Sequence, residues 1–199
     1  VHNVKVNDFS LSKFEITQQQ YNTYLKTTEK GIKDYEGSTL PIAKVNWLKA
    51  QQFIDWLNSH TNKNYRLPTE AEWEFAAKSS TSTYYPWGNG IGENNANCKD
   101  CFASTKMPQS VSIGSFPPNA LGIYDMQGNV WEWTQDCYKK NYKGTPTNGS
   151  AYQYKKCQRR VLRGGAFNSL AKELLTSYRN AAKPDHSSKT IGFRLARNN

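Results

Sequence analysis

The chain has 199 residues and a formal net charge of +10, from 26 Lys and Arg against 16 Asp and Glu. That length suits one domain with a sizeable core, and no run approaches the roughly 20 apolar residues of a membrane-spanning helix. Hydrophobic content is a modest 37%, while 12 Tyr and 6 Trp point to an aromatic core; the basic residues are scattered, without the dense Lys/Arg block that would mark nucleic-acid binding.

Residues 4–16 read as extended, with Val4, Val6, Phe9 and Phe14 among polar neighbours. Thr17 is placed to cap a helix, with Gln20 completing a capping box. Tyr21, Tyr24 and Leu25 then share a face. Residues 30–44 form a Gly- and Pro-punctuated loop. Asn46 caps a second helix, from about Trp47 to Ser59, whose stripe of Leu48, Phe53, Trp56 and Leu57 is core packing. Pro68 disfavours helix at Leu67. Thr69 with Glu72 then starts a third helix, with Trp73, Ala76 and Ala77 inward. Arg66 beside Glu70, Glu72 and Glu74 invites an ion-pair network. Acids facing a helix dipole explain those glutamates more simply than paired-carboxylate catalysis does.

From Ser79 to Asn119 periodicity fades, and Tyr84, Tyr85, Trp87 and Phe102 stand among Gly, Asn, Ser and Pro. A long ordered loop of this kind usually carries function or an ion. Next comes Gly122-Ile123-Tyr124-Asp125-Met126-Gln127-Gly128-Asn129-Val130-Trp131-Glu132-Trp133. Carboxylates and backbone carbonyls at a Gly-relaxed bend suit a hard cation such as calcium. The tryptophans anchor the bend. Residues 138–158 form a polar loop, Val161–Arg163 a strand, Gly164-Gly165 a sharp bend or close approach, and Ile191–Leu195 a final strand.

The four cysteines are Cys98, Cys101, Cys137 and Cys157. As metal ligands they offer one C-x2-C knuckle without the second pair of a zinc ribbon. In an exported protein an even count points to disulfides: Cys137–Cys157 across the polar loop, and Cys98–Cys101 as a tight local bridge. In a cytosolic setting all four would stay thiols. Localisation at the cell surface or outside a bacterial-type cell is the expectation, with the cytoplasm as the alternative.

Four ordered blocks carry a resemblance: RLPTEAEWEFAA at Arg66 to Ala77, GIYDMQGNVWEW, RVLRGGAF at Arg160 to Phe167, and GFRLAR at Gly192 to Arg197. Together they resemble the formylglycine-generating enzyme (sulfatase-modifying factor) family, from Phe14-Glu15-Ile16-Thr17 to the end. The resemblance implies one domain with an irregular α+β, C-type-lectin-like fold poor in regular secondary structure. It also implies one structural calcium held by the side chains of Asp125 and Glu132 and the carbonyls of Gly128 and Val130. Of a second calcium site in the family, Asn97 and the Cys98 carbonyl match one half. Its acidic member falls near Thr105, leaving Asp100 as a substitute.

Enzymes of the family hold copper(I) with two cysteines after the Gly-Gly bend. Those positions fall at Ser169 and at Leu174 or Leu175, and no cysteine follows Cys157. Soft thiolates suit copper(I), whereas a hydroxyl or an alkyl group does not, so no copper is expected. A related branch uses three iron-binding histidines, but His2, His60 and His186 show no ligand spacing. A serine nucleophile also lacks its motif.

The first functional reading is therefore a monomeric, non-catalytic module for a protein or cell-surface ligand, without nucleic acid. The resemblance extends to the variable proteins of diversity-generating retroelements. It places the ligand surface at Ala166, Phe167, Ser169, Leu170, Leu174, Tyr178, Asn180, Ala181, His186 and Ser188. Phe167 and Tyr178 would be rigid contact groups or core residues. Lys172 and Glu173 do not look like products of adenine-directed mutagenesis. The second reading is an oxidase of altered chemistry, its cleft lined by Arg163, Glu74, Trp133 and Arg179. The third is a surface domain whose basic charge meets acidic polymers.

Overall fold

Local signals place the helices. A computed structural model describes residues 3–28, 32–101 and 109–198; His2, Phe102 and Thr105 lie outside them. Gln20 N–H donates to Thr17 Oγ1 at 3.1 Å and Thr17 N–H to Gln20 Oε1 at 2.9 Å, opening α1 (Gln18–Thr28). The Asn46 side chain accepts from Lys49 N–H and opens α2 (Trp47–Thr61). This helix runs past Ser59 until Asn62 turns left-handed at φ 52°. Thr69 and Glu72 form the full capping box of α3 (Glu70–Lys78).

Among the described residues there are seven short strands: β1 (Phe9–Leu11), β2 (Tyr65–Arg66), β3 (Trp131–Cys137), β4 (Arg160–Arg163), β5 (Asn180–Ala182), β6 (Ile191–Gly192) and β7 (Ala196–Asn198). One sheet has the order β1-β7-β2, all antiparallel. The other has the order β5-β4-β3-β6, with β6 parallel to β3 and the rest antiparallel. Regular structure is sparse, as the resemblance implied.

Two extended stretches differ from expectation. Only Phe9–Leu11 of residues 4–16 is strand. The stretch Ile191–Leu195 splits: β6 ends at Gly192, and Phe193 and Leu195 give their carbonyls to Ile16 N–H and Ser12 N–H before β7 enters the other sheet. A Cβ on Gly192 would stand 2.3 Å from the Ile42 carbonyl oxygen, so this crossing needs glycine.

The core is aromatic. Tyr21 stacks on Phe53 at 5.4 Å, and Phe53 meets Phe193 edge-on at 5.6 Å. Trp73 and Trp133 are fully buried. The Trp133 indole N–H is satisfied by the Val45 carbonyl at 2.9 Å, as a buried Trp requires. Strand β3 runs through the centre and carries Glu132 into the interior opposite Arg163 of β4.

Candidate functional site

The bend before β3 is built by backbone that few residues tolerate. Asp125, Gly128 and Asn129 have φ of 56°, 88° and 59°. A Cβ on Gly128 would stand 2.3 Å from the Asn97 carbonyl oxygen, so only glycine fits. Asn129 ties the bend to three segments. Its Nδ2 donates to Glu15 Oε2 at 2.8 Å, its Oδ1 accepts from Val111 N–H at 3.0 Å, and its N–H reaches the Asn97 carbonyl at 2.9 Å.

Three buried carboxylates face one buried guanidinium here. Glu132 accepts from Arg194 Nε and Nη2 and from Trp73 Nε1, each at 2.7 Å. Asp125 Oδ2 accepts Gly114 N–H at 2.7 Å. Burial raises the Glu15 pKa well above the ordinary range, and the Asp125 and Glu132 charges push the same way against Arg194 and Asn129. Burial also raises Asp125, partly offset by the Gly114 N–H. Arg194 lies in the GFRLAR block and Glu15 in the stretch where the resemblance begins, yet neither was assigned to the site from sequence. Their signal was charge inside the otherwise apolar FEIT and GFRL runs.

The calcium expectation meets this geometry unevenly. Three carboxylates against one Arg leave negative charge for a hard cation to balance, and one Asp125 oxygen has no protein donor among the described contacts. Glu132, however, is committed to Arg194 and Trp73. Among the described residues no group of three or more His, Cys, Asp or Glu side chains is arranged to hold a metal.

Past β4, Gly164 and Gly165 adopt φ of 95° and 83°, and the chain folds Ser169 and Leu174 inward. Ser169 is 4% exposed and its Oγ accepts Ala166 N–H at 3.1 Å. Leu174 is fully buried with Tyr85, Ala96, Cys98 and Cys101, and Leu175 packs on the same group. Both expected disulfides are present, Cys98–Cys101 and Cys137–Cys157, so no cysteine is free. The ten residues expected to form a ligand surface divide. Ala166, Phe167, Ser169 and Leu174 are buried in the segment after the Gly-Gly kink, and Ala181 is buried where β5 pairs with Val161 of β4, so these five present little surface to a ligand. Leu170, Tyr178, Asn180, His186 and Ser188 retain exposure. His60 lies tilted against Trp56, with ring centroids 4.9 Å apart, at the end of α2.

A cleft of about 770 Å³ opens between α3, the end of β3 and the 139–152 loop. Its floor is an ion-pair network. Arg179 grips Glu70 through Nε and Nη2 at 2.5 and 2.7 Å. Arg163 Nη2 meets Glu74 at 2.6 Å, and Lys78 meets Glu74 at 2.7 Å. Tyr142 Oη donates to Glu70 at 3.2 Å. Asp136 accepts the N–H groups of Glu70 and Tyr152, each at 2.7 Å. Burial nonetheless raises its pKa to about 7, with help from Glu70 and against both N–H groups and Arg179. Burial works against the Glu74 charge, but Arg163 and Lys78 outweigh it and hold that carboxyl low. Of the four residues expected to line a cleft, Glu74 and Arg179 do. Arg163 and Trp133 do not, being fully buried behind it. The expected Arg66 network also narrows: Arg66 pairs with Glu72 at 2.6 and 2.7 Å, while Glu70 and Glu74 take arginines distant in sequence.

The family described as sulfatase-modifying factor enzyme 1-like domain matches residues 1–199. Serine/threonine-protein kinase pkn1 of Chlamydia pneumoniae is 31% identical over 229 residues, covering 100% of this chain and 34% of that protein. The chain thus spans about a third of that curated relative's length. The structure of PvdO from Pseudomonas aeruginosa superposes with a TM-score of 0.86 at 29% identity, covering 96% of this chain and 80% of that one. Treponema denticola variable protein 1 superposes at 0.84 and 22% identity, covering 100% and 87%, a likeness of fold alone. No described helix is long and apolar enough to cross a membrane.

Proposed function

Since the chain belongs to the sulfatase-modifying factor enzyme 1-like domain family along its whole length, we propose that it uses this C-type-lectin-like scaffold to bind a ligand or protein partner without catalysing a reaction. One observation carries the reading. At the positions the resemblance gives to the family's copper-binding thiolates stand Ser169 and Leu174 or Leu175, while all four cysteines are tied in disulfides. A hydroxyl and an alkyl group offer copper(I) nothing to hold.

The ligand's place is the cleft of about 770 Å³, a size typical of small-molecule sites. Ser177 and Arg179 bring the 166–190 segment to its wall. Two disulfides suit an oxidising compartment, which favours export or the cell surface. The likeness to Treponema variable protein 1 accommodates a retroelement variable protein. A neighbouring reverse transcriptase with a near-copy of codons 160–197 would establish that, and its absence would remove it. Calcium belongs to the reading as a structural ion on the Asp125 carboxylate and the Gly128 and Val130 carbonyls. Glu132 would act there mainly through its pair with Arg194.

The test is a copper(I) titration against a chromophoric chelator, with the disulfides intact. The binding reading expects the chelator to keep the metal; stoichiometric transfer to the protein would refute it. A second reading, an enzyme of altered chemistry, is favoured by one feature: Asp136, a carboxyl raised to about 7, stands in the cleft beside Arg179, and such groups cluster at active sites.

A further inference from the structure

The charges of the cleft beside α3 narrow the chemistry of its ligand. The carboxylates that line it are already answered. Glu70 is held by Arg179, Glu74 by Arg163 and Lys78, and Asp136 by two backbone N–H groups. Lys139 and Lys143 line the loop side and have no carboxylate partner among the described residues. Lys139 Nζ donates to the Lys143 carbonyl and lies over the Tyr152 ring at 5.3 Å. Lys143 is exposed. The charge left over for a ligand is therefore positive.

The surplus continues outside the cleft. Residues 138–160 carry seven Lys and Arg and no Asp or Glu, a concentration that corrects the scattered basic charge expected from the sequence. Within it Lys140, Lys155 and Lys156 are exposed. The Cys137–Cys157 bond, 5.6 Å from Cα to Cα, keeps the last two near Cys137, which lines the cleft. A small anion would use one or two of these cations, whereas a chain of repeated acids uses the whole series.

Nucleic acid suits the cations but not the rings. Bases need open aromatic faces to stack on. Tyr138 already bears the guanidinium groups of Arg159 and Arg179 at 5.4 and 5.2 Å, Tyr142 bears that of Arg179 at 4.3 Å, and Tyr152 bears the Lys139 ammonium. An acidic peptide gains most from an open strand edge. Here both backbone groups of Tyr152 are spent, its N–H on Asp136 and its carbonyl on Cys137 N–H at 2.8 Å. Besides cations, the cleft offers the exposed hydroxyl of Ser177 and the exposed ring of Phe75. A pyranose, polar at its rim and apolar on its C–H face, matches both.

We propose that the cleft binds an acidic polysaccharide. A uronate carboxylate meets Lys139 and Lys143, the sugar ring lies on Phe75, and the following units cross Lys140, Lys155 and Lys156. This assignment rests on the cleft being the ligand's place.

The test is calorimetric titration with a short oligogalacturonate, against its methyl ester and against an oligoglutamate and a single-stranded oligonucleotide of equal charge. Saturable binding of the uronate and not of its ester is expected, about tenfold tighter than either other polyanion and weakened about tenfold between roughly 0.05 and 0.3 M salt. Lys143→Met should weaken it about fivefold, while Lys143→Arg, and Lys63→Met at an exposed lysine outside the cleft, should not. Ser177→Trp, which fills the cleft from an exposed position, should abolish it. No saturable binding of the uronate would overturn the proposal. So would equal binding of the ester, the peptide or the oligonucleotide, or equal losses in Lys143→Met and Lys63→Met; each of these removes the acidic sugar and leaves the cleft as a ligand site. Full binding to Ser177→Trp would overturn the proposal differently, by removing the cleft as the ligand's place.

Discussion

Leu174 occupies the space that a side chain on Gly165 would need: a Cβ there would stand 2.5 Å from Leu174 Cδ1 and 3.3 Å from the Glu173 carbonyl oxygen. The Gly-Gly kink and the buried leucine are thus one packing unit. Gly165→Ala forces a Cβ into that contact at φ 83° and should destabilise by about 1–3 kcal/mol. Leu174→Ala alone should cost about 2–5 kcal/mol through the cavity left behind. The double variant should be less destabilised than the sum, because removing the leucine relieves the clash. Urea midpoints of the three variants check this; strict additivity would mean that the two residues do not share the space.

Arg194 supplies the cation for Glu132 in the interior, and both are essentially unexposed. Arg194→Met leaves a buried carboxylate without its partner and should cost about 3–5 kcal/mol. Adding Glu132→Gln should recover part of that loss. Chemical denaturation reads the difference, and a loss below about 1 kcal/mol would place the pair outside the low-dielectric core.

Asp136 makes stability fall with rising pH. Its folded pKa is about 7, against about 3.9 in an unfolded chain. The native state therefore holds a proton that the unfolded state releases. Its contribution is full below about pH 4, declines between about 4 and 7, and is constant above that. Glu15 and Asp125 are raised and act with the same sign; Glu74 is lowered and acts oppositely. Replacing Asp136 with Asn should flatten this slope by an amount on the order of a few kcal/mol across the window. Urea midpoints from pH 4 to 8 measure it, and an unchanged slope in the variant would refute the assignment.

Calcium bound at Asp125, Gly128 and Val130 would raise the melting temperature in proportion to the logarithm of free ion concentration. Metal analysis after dialysis should find about one calcium per chain, lost in Asp125→Ala. A dialysed protein without stoichiometric calcium, and without a thermal response to added ion, would leave the charge excess to a proton on Glu15.

The N-caps of α1, α2 and α3, the glycine bend, both disulfides and the family were legible in the sequence, because each rests on residues close in the chain or on whole motifs. The ion pairs were not. Arg66 stands beside three glutamates in sequence and takes only Glu72. Glu70 waits for Arg179, 109 positions away, and Glu132 for Arg194, 62 positions away. Partner choice there follows from how the segment before β5 returns to α3 and the chain after Gly192 returns to β3, which no local spacing encodes. The inward turn of Phe167 was hidden for the same reason. Beyond a double-glycine kink the chain can face either way, and packing decides.

The most direct measurement is incubation of the protein with copper(I), oxygen and a cysteine-containing sulfatase-type peptide, with mass spectrometry of the peptide. The account predicts no formylglycine above a protein-free control. Catalytic conversion by the unaltered chain, with multiple peptides oxidised per protein, would contradict it.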